Sequence, residues 1–560
     1  MEKSKIVFYK STRESQINLA IRRRSENDFI GALNILKYLT EINPKDYECY
    51  ELMAKVYMDM EYYRLALSQW FKFLNICPKR EWANAYNGIA TCFLYLDNLH
   101  LAGYYYDMQL GIAPDKEFDY TDELYDYIDF VKGGEEPEFY ITYPYEKMSV
   151  ERRLELSDEL IFKDPKECLT VLNSIDVNDE KYIEAQTRIV AFYILNNKIN
   201  KAKKVINGLI AQFPDEPLVK IVHFMFLAEM DDLDNAIPVL ESLKDVQFTS
   251  YMDSLKVATE CMALGLYGNA KHYCEITLNL KPYSIMGLFT MGAICFNMGD
   301  YEQAEKYFLL NFQLTGISTV KYYLDITKNP KQRTKIGNIL PKLKLPESVA
   351  KAYLVKILKY TNQGFPKITN KNIQTMFLLF DFIASFPNNA YKQFIDGLVG
   401  TKNKAVISFL KDKLLDSELN DEIKYTILEG LVINDFDGKI SVVHSGIFNK
   451  TRLFVLKDFE RKGEQNIIKT AHAKALAKVS TFAGFDTKAL EISARVIYQK
   501  LCENGNMLKV ENLKALALAI ALSVDNVYTS QRAIMTSYFG TDKKSLNTVL
   551  KLIKAKHVDS

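Results

Sequence analysis

The chain has 560 residues, too many for one hydrophobic core, so several domains or one extended solenoid are expected. Apolar residues make up 48% and charged residues 25%, the balance of a soluble, folded chain rather than a disordered one. Lys+Arg and Asp+Glu nearly cancel, at 71 against 70, which excludes a global field addressed to nucleic acid, an anionic membrane or an acidic substrate.

The first residues, MEKSKIVFYKSTRESQ, place charges and hydroxyls where a signal peptide needs an apolar core. No uninterrupted apolar run reaches the length of a membrane span, so a cytoplasmic protein is expected. Eight cysteines are scattered, at Cys49, Cys77, Cys92, Cys168, Cys261, Cys274, Cys295 and Cys502. None forms a C-x-x-C pair and most fall within helical apolar patterns, which suits buried thiols in a reducing compartment. Richness in Lys, Asn, Ile and Tyr suggests an AT-rich bacterial genome.

Internal repetition is the strongest signal. Residues 47–78 fit a 34-residue helix–turn–helix template, with Tyr50, Met53, Ala54 and Tyr57 along the first helix and Ala66, Trp70 and Phe73 along the second. Pro78 closes the unit because proline cannot continue a helix. Small residues stand where the two helices cross, and large ones fill the space beside them. The preceding unit carries Ala20, Ala32, Leu36 and Pro44; the following one carries Tyr86, Ala90, Phe93, Ala102, Tyr106 and Pro114. A second array brings Ala202 and Pro214, then Ala236, then Ala258, Ala270 and Pro282, and ends in a unit at 288–308 that contains GDYEQAEKYF.

These residues resemble the tetratricopeptide repeat (TPR) family over roughly half the chain. The resemblance implies an all-α fold, an α/α superhelical solenoid in two blocks, and a protein or peptide partner. The organisation predicted is an N-terminal array at 1–114, an acidic Tyr-rich linker at 115–150 and a second array at 151–316. An irregular, HEAT-like helical region at 317–435, a β-hairpin at 436–458 and a compact helical C-terminal domain at 459–560 follow. The linker contains EFDYTDELYDYIDFVKGGEEPE, a solvated segment between solenoid blocks or a dock for a basic partner.

Beyond the repeats, helices are predicted over 348–362, 372–385 and 405–415, with another starting at the capping Asn420. The β-branched stretches 439–444 and 451–456 read as strands joined by a long loop, 445–450, and a lone hairpin must pack on helices to be stable. Helices return at 467–483, 488–504, 512–525, 530–539 and 543–554. Their order resembles the closing helices of a cyclin-box core, as in the transcription factor B family. The last pair resembles a helix-turn-helix, with Ile534, Phe539, Gly540, Leu546, Leu550 and Ile553 in its structural slots and a departure at Met535, where a small residue is usual.

No constellation of residues points to catalysis, a cofactor or a metal. The six histidines are dispersed, at His100, His223, His272, His444, His472 and His557. His272 and Cys274, two residues apart on a helix, face different directions and cannot jointly hold a metal. Ser441 and His444 lack a carboxylate at any diagnostic spacing, and there is no phosphate loop, H-E-x-x-H or G-x-S-x-G.

The TPR resemblance implies a binding groove lined by fixed first-helix positions. In the second array these hold Leu218, Ile221, Met225 and Ala228, then Met252, Leu255 and Met262, then Met286, Phe289, Ala293 and Phe296. An apolar, Met-rich face of this kind rarely stays bare. Either it receives an amphipathic helix or apolar peptide of a partner, or the chain's own C-terminal helices or a second subunit cover it. In the first array the positions hold Glu14, Ile17, Ile21 and Arg24, then Glu48, Glu51, Lys55 and Met58. Chaperone-binding members of the family grip a terminal carboxylate with Lys, Asn and Arg. The matching places here are Ile17, Ile21, Leu52, Asn84 and Gly88, so that clamp is absent.

The function expected is therefore a non-enzymatic protein–protein interaction scaffold. The alternative is a TPR-containing transcriptional regulator whose Lys543, Lys544, Asn547 and Lys551, on the last helix, contact DNA.

Overall fold

A computed structural model describes residues 12–96, 98–112, 149–161, 164–333, 336–370, 372–384, 390–482, 484–524 and 532–554. The acidic segment expected at 115–150 lies outside them except for Ser149 and Val150. Among the described residues the chain forms 28 α-helices and one two-stranded antiparallel sheet, the all-α repeat fold that the spacing predicts. The helices gather into two compact units that interleave along the chain. One takes the described residues of 1–38, 93–104 and 118–346, the other those of 39–92, 105–117 and 347–560.

In the first unit, the first helices of successive pairs begin at Tyr182, Pro217, Tyr251 and Ile285, spaced 35, 34 and 34 residues apart. Each is followed by its partner: Ile199–Gln212, Leu233–Ser242, Tyr267–Leu280 and Tyr301–Thr315. A single helix, Ser318–Lys328, closes the series. Ala202, Ala236, Ala270 and Ala304 recur every 34 residues and are fully buried. A methyl group at the crossing lets each pair approach closely enough for the larger side chains around it to interlock. Side-chain caps start several helices, among them Ser284 accepting from the Gly287 N–H at 3.1 Å and Asp300 accepting from the Gln303 N–H at 3.2 Å. Gly316, at φ +69, ends Tyr301–Thr315 in a left-handed turn that disfavours a side chain. Two carbonyls near that end, of Gln313 and Leu314, accept from Lys37 Nζ at 2.6 and 3.2 Å.

In the second unit, Tyr47–Asp59 pairs with Tyr63–Ile76, and Trp70 lies so tightly on Gly88 that any side chain there would strike the indole. The helices Glu347–Gln363, Ile373–Ala384, Lys404–Lys413 and Asp421–Ile433 fall within two or three residues of their predicted ends. Asn420 caps the last of these through the Glu422 N–H at 2.8 Å. Gly463–Val479 carries fully buried alanines at 471, 473, 475 and 477 and packs against the nearly all-apolar Leu513–Leu522.

The hairpin differs from expectation. Its strands are β1, Gly438–His444, and β2, Ile447–Leu453, joined by Ser445 and Gly446 alone. Both turn residues have positive φ, +48 and +80, the geometry of a two-residue turn that matches the twist of the strands. Ile447, Phe448, Asn449 and Lys450 are therefore strand, and the predicted six-residue loop is wrong. The closing helices Arg532–Tyr538 and Lys543–Lys554 lie where predicted. Ile534, however, is 39% exposed, and Met535 takes the core position instead.

Candidate polypeptide-binding surface

Among the first-helix positions of the second array, Ile221, Leu255, Met262, Phe289 and Phe296 are buried. Leu218, Met225 and Met286 are half-buried, and Met252 alone, at 48%, is clearly exposed. Most of these side chains pack helix to helix within the chain. Phe289 lies between Phe308, on its partner helix at 5.7 Å, and Tyr323, on the next first helix at 5.4 Å. The Ile285–Asn297 helix buries every residue from Gly287 to Phe296, as a helix apolar on all sides must.

Part of what covers this face is the chain itself. Residues 336–346 carry no regular structure and lie against the array. Asn297, the last residue of its helix, grips one residue of this strap from both sides. Its Nδ2 donates to the Ile339 carbonyl at 2.9 Å, and its Oδ1 accepts from the Ile339 N–H at 2.8 Å. The Ile339 side chain is 3% exposed and joins the apolar core that contains Met262, Phe289 and Phe296. Asn338 donates to the Tyr267 hydroxyl at 2.8 Å, and the Tyr323 hydroxyl donates to the Lys344 carbonyl at 2.6 Å. Burial and the nearby Glu229 push the Glu260 carboxyl up to about 7, while the Lys342 ammonium opposes them. A short irregular segment is thus held by its backbone and by the apolar side chains of Ile336, Ile339 and Leu343. No periodicity in the sequence signals it, because an irregular strap has none.

The first array is more polar. Glu51 accepts from Lys55 at 2.5 Å and from Asn84 Nδ2 at 3.0 Å, Ile17 is buried and Ile21 is 45% exposed. Gly88 lies beneath the Trp70 ring.

His444 does have a carboxylate neighbour, contrary to the sequence analysis. Asp421 Oδ2 stands 3.5 Å from its Nε2, and the Tyr425 hydroxyl bonds the same nitrogen. Tyr425 reaches the Tyr538 hydroxyl at 2.6 Å, which meets Thr481 Oγ1 at 2.9 Å and the Lys478 carbonyl at 3.0 Å. The Lys478 ammonium sits 3.5 Å over the Tyr425 ring. Burial drives His444 down to about 4, so it is neutral near pH 7. Ser441 donates instead to Asn75 Oδ1 at 2.7 Å, so serine and histidine form no common site. The network ties the turn to the helices, with Ser445 N–H donating to Asp421 at 3.0 Å.

Cys274 is buried with its thiol on the Gly287 carbonyl at 3.3 Å, whereas His272 is exposed; the two do not converge. Among the described residues no group of three His, Cys, Asp or Glu could hold a metal ion, and no helix is long and apolar enough to cross a membrane. Lys543, Lys544, Asn547 and Lys551 are all exposed, on the side of their helix opposite the buried Leu546 and Val549.

No family model and no curated protein matches this sequence. Among solved structures, the TPR domain of P58(IPK) is 14% identical, covering 57% of this chain and 98% of its own, with a TM-score of 0.23. The APC/C hetero-tetramer Cut9–Hcn1 is 13% identical, covering 96% of each chain, with a TM-score of 0.26. Those scores are too low to transfer a chain path or a partner.

Proposed function

We propose that this chain is a non-enzymatic protein–protein interaction scaffold that holds a partner polypeptide on the first-helix faces of its repeats. The observation that carries the proposal is the two-sided grip of Asn297 on the Ile339 backbone beside an aliphatic socket. Such a surface meets the two requirements of peptide recognition: satisfied main-chain hydrogen bonds for affinity and a shaped pocket for specificity. Burial of a few aliphatic side chains would supply the energy, and charged rims the discrimination.

Site-specific photo-crosslinking in the native cell tests this. A crosslinker at Met252, exposed on a first helix of the array, is expected to trap a discrete protein adduct. The same crosslinker at Leu508, 71% exposed outside the array, is expected to trap none. Absence of any adduct from Met252 and from the neighbouring half-buried Met225 overturns the scaffold reading.

A further inference from the structure

We infer that residues 336–344 are a displaceable resident ligand, occupying a site on the second array that accepts in trans an extended partner segment anchored by one aliphatic residue. The inference rests on the scaffold reading and names the chemistry of its partner.

The way the strap is held argues for it. Asn297 recognises only the peptide group of Ile339, which every residue except proline shares, so the grip is indifferent to sequence. Within 336–344 only Ile339 is buried. Gly337, Asn338, Lys342 and Lys344 are exposed, and Leu340 is 61% exposed although apolar. The remaining hold consists of the Tyr267 and Tyr323 hydroxyls and of Ile336 and Leu343, half-buried against the array. The helices beneath are closed by their own contacts, Phe289 with Phe308 and Tyr323, and none of these includes the strap. Departure of the strap empties the Ile339 socket, uncovers the contacts of Ile336 and Leu343 and frees one asparagine amide, while the ring contacts between the helices remain. That socket and amide suit an irregular or extended peptide rather than a helix, because a helix's own hydrogen bonds occupy the peptide groups that Asn297 must reach.

The test uses the full chain and a fluorescein-labelled, amidated peptide of residues 336–345. Ile339→Asp expels the anchor of the resident strap while leaving Asn297, Tyr267 and Tyr323 in place. This variant is expected to bind the peptide at least tenfold more tightly than the unaltered chain. Adding Asn297→Ala is expected to remove most of that gain, and a peptide carrying Asp at the Ile339 position to bind at least tenfold more weakly. A folded Ile339→Asp chain that binds no peptide overturns the inference, as does equal binding by variant and unaltered chain. Should Ile339→Asp not fold, hydrogen exchange on the unaltered chain decides. Excess unlabelled peptide is expected to strip protection from 336–344 and leave Ile285–Asn297 protected; protection of both at every peptide concentration overturns the inference. Adducts at Met252 without peptide binding leave the scaffold reading standing and remove only this one.

Discussion

At the scale of the residue, burial sets the chemistry of most reactive groups. His472 is fully buried and neither ring nitrogen has a hydrogen-bond partner among the described residues, so its pKa falls to about 3. A histidine whose folded pKa lies below its unfolded value contributes stability above about pH 6.5, lost as pH falls toward the folded value. His472→Leu is expected to raise stability near neutral pH by about 1 kcal/mol and to flatten the loss between about pH 6 and 4, read by denaturant titration across pH. Glu260 has the opposite sign. Its raised pKa gives stability that is complete below about 4.5 and lost as pH rises through about 7. Thermal melts between pH 5 and 8 are expected to show that loss reduced in Glu260→Gln. The thiols follow the same logic: burial pushes Cys77, Cys92, Cys261 and Cys274 up to about 12, and every cysteine is buried except Cys502, which is half-buried. Burial raises the Cys502 thiol too, so one slowly labelled thiol per native chain, abolished by Cys502→Ser, is the expected outcome.

At the scale of the element, the hairpin is the case where local pattern and tertiary contact separate. Its β-branched strands are legible in the sequence, but the turn is not, because Ile447 and Phe448 look as much like a loop's anchors as a strand's first residues. What stabilises it lies 340 residues away in the chain: the Tyr105 hydroxyl donates to the Gly446 carbonyl at 2.8 Å and accepts from the Phe448 N–H at 2.9 Å. Asn75 adds its carbonyl to Lys450 at 2.9 Å and its side chain to Ser441 at 2.7 Å. Tyr105→Phe leaves two backbone groups without this partner and is expected to cost about 1–2 kcal/mol, with faster amide exchange confined to β1 and β2. Phe289→Ala, in the packed first helix of the second array, is expected to cost about 3–5 kcal/mol because the ring's space cannot collapse between two aromatic neighbours.

At the scale of the whole molecule, the compact units do not follow chain order. The described residues of 39–92 and 105–117 belong with those of 347–560 in one unit, so an N-terminal helix pair and the hairpin share a fold. The Ser68 hydroxyl meets Ser417 at 2.9 Å, and Arg64 stands 3.7 Å from Glu418. Deleting residues 1–112 is therefore expected to lower the melting temperature of the remaining second unit and to unprotect β1 and β2. A C-terminal fragment with unchanged melting and exchange would show that unit to be independent of the array.

Helix pairs, their 34-residue spacing and the alanines at their crossings were determined by the sequence alone, because each depends on residues within one or two helical turns of each other or on a strict repeat. The Asn420 cap and the apolar character of the second array's first helices belong to the same class. The tertiary structure alone decided that most side chains of this apolar face pack against neighbouring helices, that Ile339 occupies a socket on it, and that Asp421 stands beside His444. Those facts depend on which distant surfaces meet, and on hydrogen bonds to backbone groups that every residue carries alike; neither leaves a pattern along the chain.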